Sequence, residues 1–180
     1  MMRESDVQQR VLSYLRHQAD KDAADLAALM ERTAGECARC LEGISEKQAA
    51  FQPALSGAKG YDQEWSIKEV LGHMLTSGKG VNREIANLME GRPSAGEARL
   101  GVVSGADRPI DELSSALEDL WRATAQLATS LPEAGPERTF EHPMFGPLTS
   151  REWIAFQRLH AMDHIQQIEI IKANPDYPKD

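Results

Sequence analysis

The chain has 180 residues, of which 41% are hydrophobic and 27% are charged, and this balance is typical of one globular domain rather than a disordered chain. Its formal net charge is −8, and no cluster of Lys and Arg appears, so nucleic acid is not the expected partner. Because no apolar run approaches the roughly 20 residues that cross a bilayer, and the first residues carry no apolar signal core, we expect a cytoplasmic protein without a membrane partner.

Helical periodicity dominates the chain, and no run of alternating β-branched residues predicts a strand. Residues 4–17 are predicted to form a short leading helix within an amino-terminal extension, residues 1–20, which precedes a single domain over residues 21–175. The first helix of that domain is predicted over residues 21–43 and ends at Gly43, a residue common just after helices.

Cys37 and Cys40 lie in this first helix with the C-x-x-C spacing of a redox motif or of half a zinc knuckle. No second C-x-x-C follows, and the residues around the pair are typical of a helix interior. We therefore favour two buried structural cysteines.

The second helix is predicted to begin sharply at Ser66, which forms a capping box with Glu69, and to end at Gly91. Residues 52–64 before it are predicted to be a loop, and residues 92–109 after it carry three Gly and two Pro. The latter segment is predicted to be a long crossover connection.

The third helix is predicted over residues 110–130, followed by a segment that several prolines interrupt. The fourth helix opens with a second capping box, Thr149 with Glu152, and runs to about residue 173. Four amphipathic helices with one long connection predict an all-α four-helix bundle.

Histidines mark the candidate site. At about 100° per residue, His160 and His164 fall inside the core-facing stripe of the fourth helix. Two imidazoles one turn apart either join a polar core network or ligate one metal ion, because buried ring nitrogens need partners. His73 falls beside the apolar stripe of the second helix, where spacing alone favours a surface or capping role over ligation.

The remaining histidines and the tryptophans are not expected to be metal ligands. His17 is expected to be solvated, and His142, in a Pro- and Gly-rich loop, is expected to be structural or to line a site entrance. Core positions are expected for Trp65, Trp121 and Trp153.

Three stretches of the chain resemble the DinB/YfiT-like superfamily. Residues 65–73 match W-[ST]-x-x-[ED]-x-[LIV]-x-H, residues 142–149 match H-P-x-x-G-x-L-[TS], and residues 160–167 match H-x-x-x-H-x-x-Q. The resemblance implies an up-down-down-up, DinB-like four-helix bundle, usually a homodimer. It also implies one divalent metal ion held by a histidine of the second helix and two of the last, here His73, His160 and His164.

Three imidazoles and an open position form the ligand set of a catalytic zinc-type site, and Zn, Ni and Fe(II) all accept such ligands. The open position can activate water or hold a low-molecular-weight thiol as its thiolate. We therefore expect a metal-dependent enzyme of the hydrolase type that acts on a small molecule. The alternatives are a thiol-dependent S-transferase or isomerase and a non-catalytic, stress-related metal-binding protein.

Residues that could support such a site are few. Asp163 and Gln167 lie near the histidines of the fourth helix and are candidates to orient a ligand by hydrogen bonding. Glu84 shares a row with His73 but lies about three turns away, roughly 16 Å, too far for direct help. No catalytic base is assigned.

Overall fold

The computed structural model describes residues 4–53, 64–94, 105–132 and 138–179. Within these ranges the chain forms six helices and one small hairpin, which confirms the predicted all-α fold class. The elements in chain order are α1 (Glu4–Ala19), α2 (Ala23–Leu41), α3 (Glu46–Ala49), α4 (Ile67–Met89), α5 (Ile110–Thr129), β1 (Thr139–His142), β2 (Gly146–Thr149) and α6 (Ser150–Lys172).

The four long helices α2, α4, α5 and α6 form the bundle. Both α2 and α4 pack against α5 and against α6, so the apolar faces of all four helices meet in one core. The leading helix α1 packs on α6 and adds the fully buried Leu15 to that core. Burial of this apolar surface is the main force that holds the bundle together.

Capping boxes fix the starts of the two helices that carry the candidate ligands. At the start of α4, the Ser66 hydroxyl accepts from the Glu69 backbone N–H, and the Glu69 carboxylate accepts from the Ser66 N–H at 2.7 Å. Thr149 and Glu152 make the same exchange at the start of α6. Both predicted starts are confirmed, and the caps fix the helical register of the histidines that follow.

A β-hairpin between α5 and α6 was not predicted. Its strands β1 and β2 are antiparallel, with Phe140 opposite Leu148, and each has only four residues, too few to show a clear alternation. The ring of Phe140 stacks on Trp153 of α6 at 4.1 Å, and the Trp153 indole N–H donates to the Phe140 carbonyl oxygen. Tertiary packing on α6 therefore stabilises a hairpin too short to be stable alone.

Glycines follow two of the bundle helices, as predicted. Gly43 and Gly91 follow α2 and α4 with φ of 72° and 74°, so each occupies the left-handed conformation that suits glycine after a helix. The one-turn helix α3 was not predicted. Most of the predicted loop over residues 52–64 and of the crossover over residues 92–109 lies outside the described residues. No helix in the described ranges is both long and apolar enough to cross a membrane.

Candidate metal centre

Three histidines from two helices meet inside the bundle. His73 lies in the second turn of α4, and His160 and His164 lie one turn apart on α6. The side chains of His73 and His164 are buried, with 3% and 2% exposure, whereas His160 is only partly buried. His160 therefore marks the more accessible side of the cluster.

A surface or capping role was predicted for His73 from its place beside the apolar stripe, but the structure buries this side chain. The row of α4 that contains His73 also contains Ser77, Gly80 and Glu84, and every one of these residues is buried. This happens because α4 contacts both α5 and α6, so two of its faces are covered. A helical wheel judges a face by its own polarity and therefore misses burial by a second neighbour.

The ring nitrogens of the cluster converge at short distances. His160 Nε2 lies 3.0 Å from His73 Nε2 and 3.0 Å from His164 Nε2. One potential ligand atom from each of the three residues lies within 4.8 Å of the others. Three nitrogens this close together are spaced as the ligands of a single ion.

Hydrogen bonding within the cluster does not satisfy all three rings. In a neutral imidazole each nitrogen carries either one proton or one lone pair in the ring plane. His160 Nε2 faces two neighbouring nitrogens and can make a good hydrogen bond to one of them. A cation between the rings would instead accept a lone pair from each, so this donor set fits a divalent metal ion.

Gln167 orients one member of the cluster. Its Oε1 lies 2.7 Å from His164 Nδ1, and an amide oxygen only accepts, so His164 carries its proton on Nδ1. The lone pair of His164 is then on Nε2, the atom that faces the cluster. Metal-binding histidines are commonly held by such a contact on the other ring nitrogen.

Protonation also favours ligation by His160. Burial, followed by the neighbouring His164, His73 and His142, holds the pKa of His160 well below its usual value of 6.5. The ring is therefore neutral at physiological pH, the form that a metal ligand requires.

Asp163, a candidate from the sequence to orient a ligand, lies on the solvent-exposed side of α6. Its side chain is exposed, and among the described residues it makes no hydrogen bond to any of the three histidines. The angle of Asp163 on the helical wheel, near the edge of the stripe, was right, but α6 leaves that edge open to solvent.

Aromatic rings surround the cluster, a feature not predicted from the sequence. The Trp65 ring lies 5.0 Å from the His73 ring and 6.5 Å from the His164 ring, and Phe156 stacks on His160 at 5.6 Å. Trp65 was expected only as a core residue, yet it is partly exposed. The signals in the sequence were its position directly before the capping box that leads to His73 and its place at the start of the motif over residues 65–73.

His142 and the two cysteines are not members of the three-histidine cluster. His142 was predicted to lie in a loop, but it is the last residue of the strand β1, and it is buried, with only 2% exposure. Cys37 and Cys40 are free and buried in α2, and burial raises their pKa values to about 11 and about 12. Such thiols are protonated at neutral pH, which agrees with structural cysteines rather than a redox pair.

Comparison with known proteins gives two similarities. A family model described as the DinB superfamily matches residues 29–168. An uncharacterized protein, YuaE, from Bacillus subtilis (strain 168) is 29% identical over 154 residues, which cover 73% of this chain and 88% of the relative. The range matched by the family model includes all of α4 and α5, α6 as far as Ile168, and all three histidines.

Proposed function

The chain belongs to the DinB superfamily, as its motifs indicated, and we propose that it is a metal-dependent enzyme of the hydrolase type that acts on a small molecule. The observation that carries the proposal is the convergence of three imidazole nitrogens within 4.8 Å, in a pattern that their own hydrogen bonds cannot satisfy. His73, His160 and His164 are the proposed ligands.

The capping boxes, Gln167 and His160 each have a role in the proposed site. The capping boxes fix α4 and α6 so that the three rings meet, and Gln167 directs the His164 lone pair toward the cluster. A bound divalent ion would supply Lewis acidity, which activates a nucleophile or polarises a carbonyl group. The partial exposure of His160 leaves one side of the cluster for a substrate.

Imidazole nitrogens bind Zn, Ni and Fe(II), and we propose that the bound metal is one of these three. The family resemblance adds a homodimer, which sedimentation of the purified protein would test. A thiol-dependent transferase is the alternative, because the same ligand set binds a thiolate.

Turnover assays test the proposal and separate the two chemistries. The protein, loaded in turn with Zn, Ni or Fe(II), is incubated with a panel of esters and amides. It is also incubated with electrophiles, with and without bacillithiol, mycothiol or glutathione. We expect thiol-independent cleavage that disappears in His164→Ala and persists in His17→Ala, whose histidine is exposed on α1. Turnover that needs a thiol would favour the transferase. If neither activity is detected, the result contradicts an enzymatic role.

A further inference from the structure

The His142 ring is held in one tautomer by the hairpin turn. Its Nδ1 accepts hydrogen bonds from the backbone N–H groups of Met144 at 3.1 Å and Phe145 at 3.3 Å. A nitrogen that accepts carries a lone pair, so the proton of the neutral ring is on Nε2. His142 therefore presents one N–H donor whose position the turn fixes.

That donor is buried without an acceptor. Only 2% of His142 is exposed, and no acceptor for Nε2 occurs among the described residues. The ring is enclosed by Phe145, Trp153 and Phe156, whose centroids lie 4.5, 5.3 and 4.6 Å away. Since an unpaired buried N–H destabilises the fold, its presence in an otherwise aromatic box calls for an explanation.

The box adjoins the candidate metal centre. Phe156 lies edge-on to His142 and stacks on His160, so it is in contact with both rings. The strand β1 that carries His142 contacts α4, the helix of His73, and β2 contacts α6.

We infer that His142 is a further binding residue of this site, whose Nε2–H donates to an oxygen atom of the small molecule bound beside His160. The inference rests on the proposed function, because it needs a ligand at the accessible side of the cluster. A neutral, buried donor suits a carbonyl or carboxylate-like oxygen, since such an atom accepts the bond without requiring a second buried charge. The substrate class is therefore an acyl compound with its oxygen directed toward the hairpin.

Binding of a small oxygen ligand provides the test, with two matched variants. Acetohydroxamate is titrated into Co(II)-loaded protein, and its dissociation constant is read from the visible spectrum of the metal. In His142→Asn the amide oxygen can still accept from the turn, but the donor at the Nε2 position is lost. In His142→Gln the side-chain amide N–H reaches the Nε2 position.

We expect His142→Asn to bind one Co(II) as the wild type does but to bind acetohydroxamate about tenfold more weakly, the loss of one hydrogen bond. His142→Gln should recover part of that affinity. Imidazole, which offers no acceptor oxygen at the open position, should bind the wild type and His142→Asn equally.

Different results would overturn the role of His142 and the proposed metal-dependent function. Normal metal content with unchanged acetohydroxamate affinity in His142→Asn would mean that the His142 donor makes no bond to the ligand, and would overturn the inference alone. If the wild type binds no Co(II), the proposed function is overturned as well. If the variants fail to fold, the Nε2–H signal of ¹⁵N-histidine-labelled wild type decides: a downfield shift on adding acetohydroxamate supports the inference, and no shift overturns it.

Discussion

Replacement of Gln167 by alanine should weaken metal binding without unfolding the protein. The Gln167 Oε1 accepts from His164 Nδ1 at 2.7 Å, and His164 is only 2% exposed, so the variant leaves a buried N–H without its acceptor. Such a loss is worth about 1–3 kcal/mol, and outer contacts of this kind typically change metal affinity about 10- to 100-fold. We expect a decrease of at least tenfold, measured by competition with a chromogenic chelator at neutral pH.

Two further variants make the measurement specific. Gln167→Glu should bind metal at least as tightly as the wild type, because a carboxylate accepts the same bond and makes the ring more basic. Asp163→Asn changes an exposed side chain that makes no hydrogen bond to the three histidines within the described part of the chain, so this variant should bind metal as the wild type does. Equal affinities for wild type and Gln167→Ala would refute the orienting role of Gln167, and so would equal losses in Gln167→Ala and Asp163→Asn.

Three other predictions concern packing, pH and thiol reactivity. A Cβ at Gly78 would lie 2.5 Å from Leu120 Cδ2, so Gly78→Ala should destabilise the fold by about 1–2 kcal/mol in denaturant titrations; Gly35→Ala, where the nearest atom is 3.4 Å away, should not destabilise it. Burial lowers the pKa of His142 to about 4 from 6.5, so the neutral ring is favoured in the folded state. Unfolding free energy should therefore fall as pH drops from about 6.5 to about 4, and the fall should be shallower in His142→Asn. Because burial raises the pKa of Cys40 to about 12, iodoacetamide at pH 8 should alkylate Cys40 only after unfolding.

The bundle and most of its helix ends could be predicted because local chemistry determines them. Ser66 with Glu69 and Thr149 with Glu152 are complete capping boxes in the sequence, and the structure starts α4 and α6 at those caps. The core-facing stripe of α6 was predicted correctly for His164, which is buried. Helical period and caps act within a few residues, so they are visible without a structure.

The features that were missed depend on contacts distant in sequence. The burial of His73 comes from helices that pack on two faces of α4, and the hairpin depends on the stacking of Phe140 on Trp153. Trp65, which lies just before α4, and His164 of α6 are 99 positions apart along the chain. Their rings come together only because α4 and α6 pack against each other. Periodicity within one helix carries no information about such partners.

Metal content of the purified protein decides whether the three histidines form a metal site. The chain is produced without an affinity tag, loaded separately with Zn, Ni and Fe(II), desalted, and analysed for bound metal per chain. We predict one ion per chain for at least one of these metals, its loss in His160→Ala, and its retention in His17→Ala, which removes an exposed histidine of α1. No bound metal under any loading condition, or equal metal in wild type and His160→Ala, would contradict the proposed site.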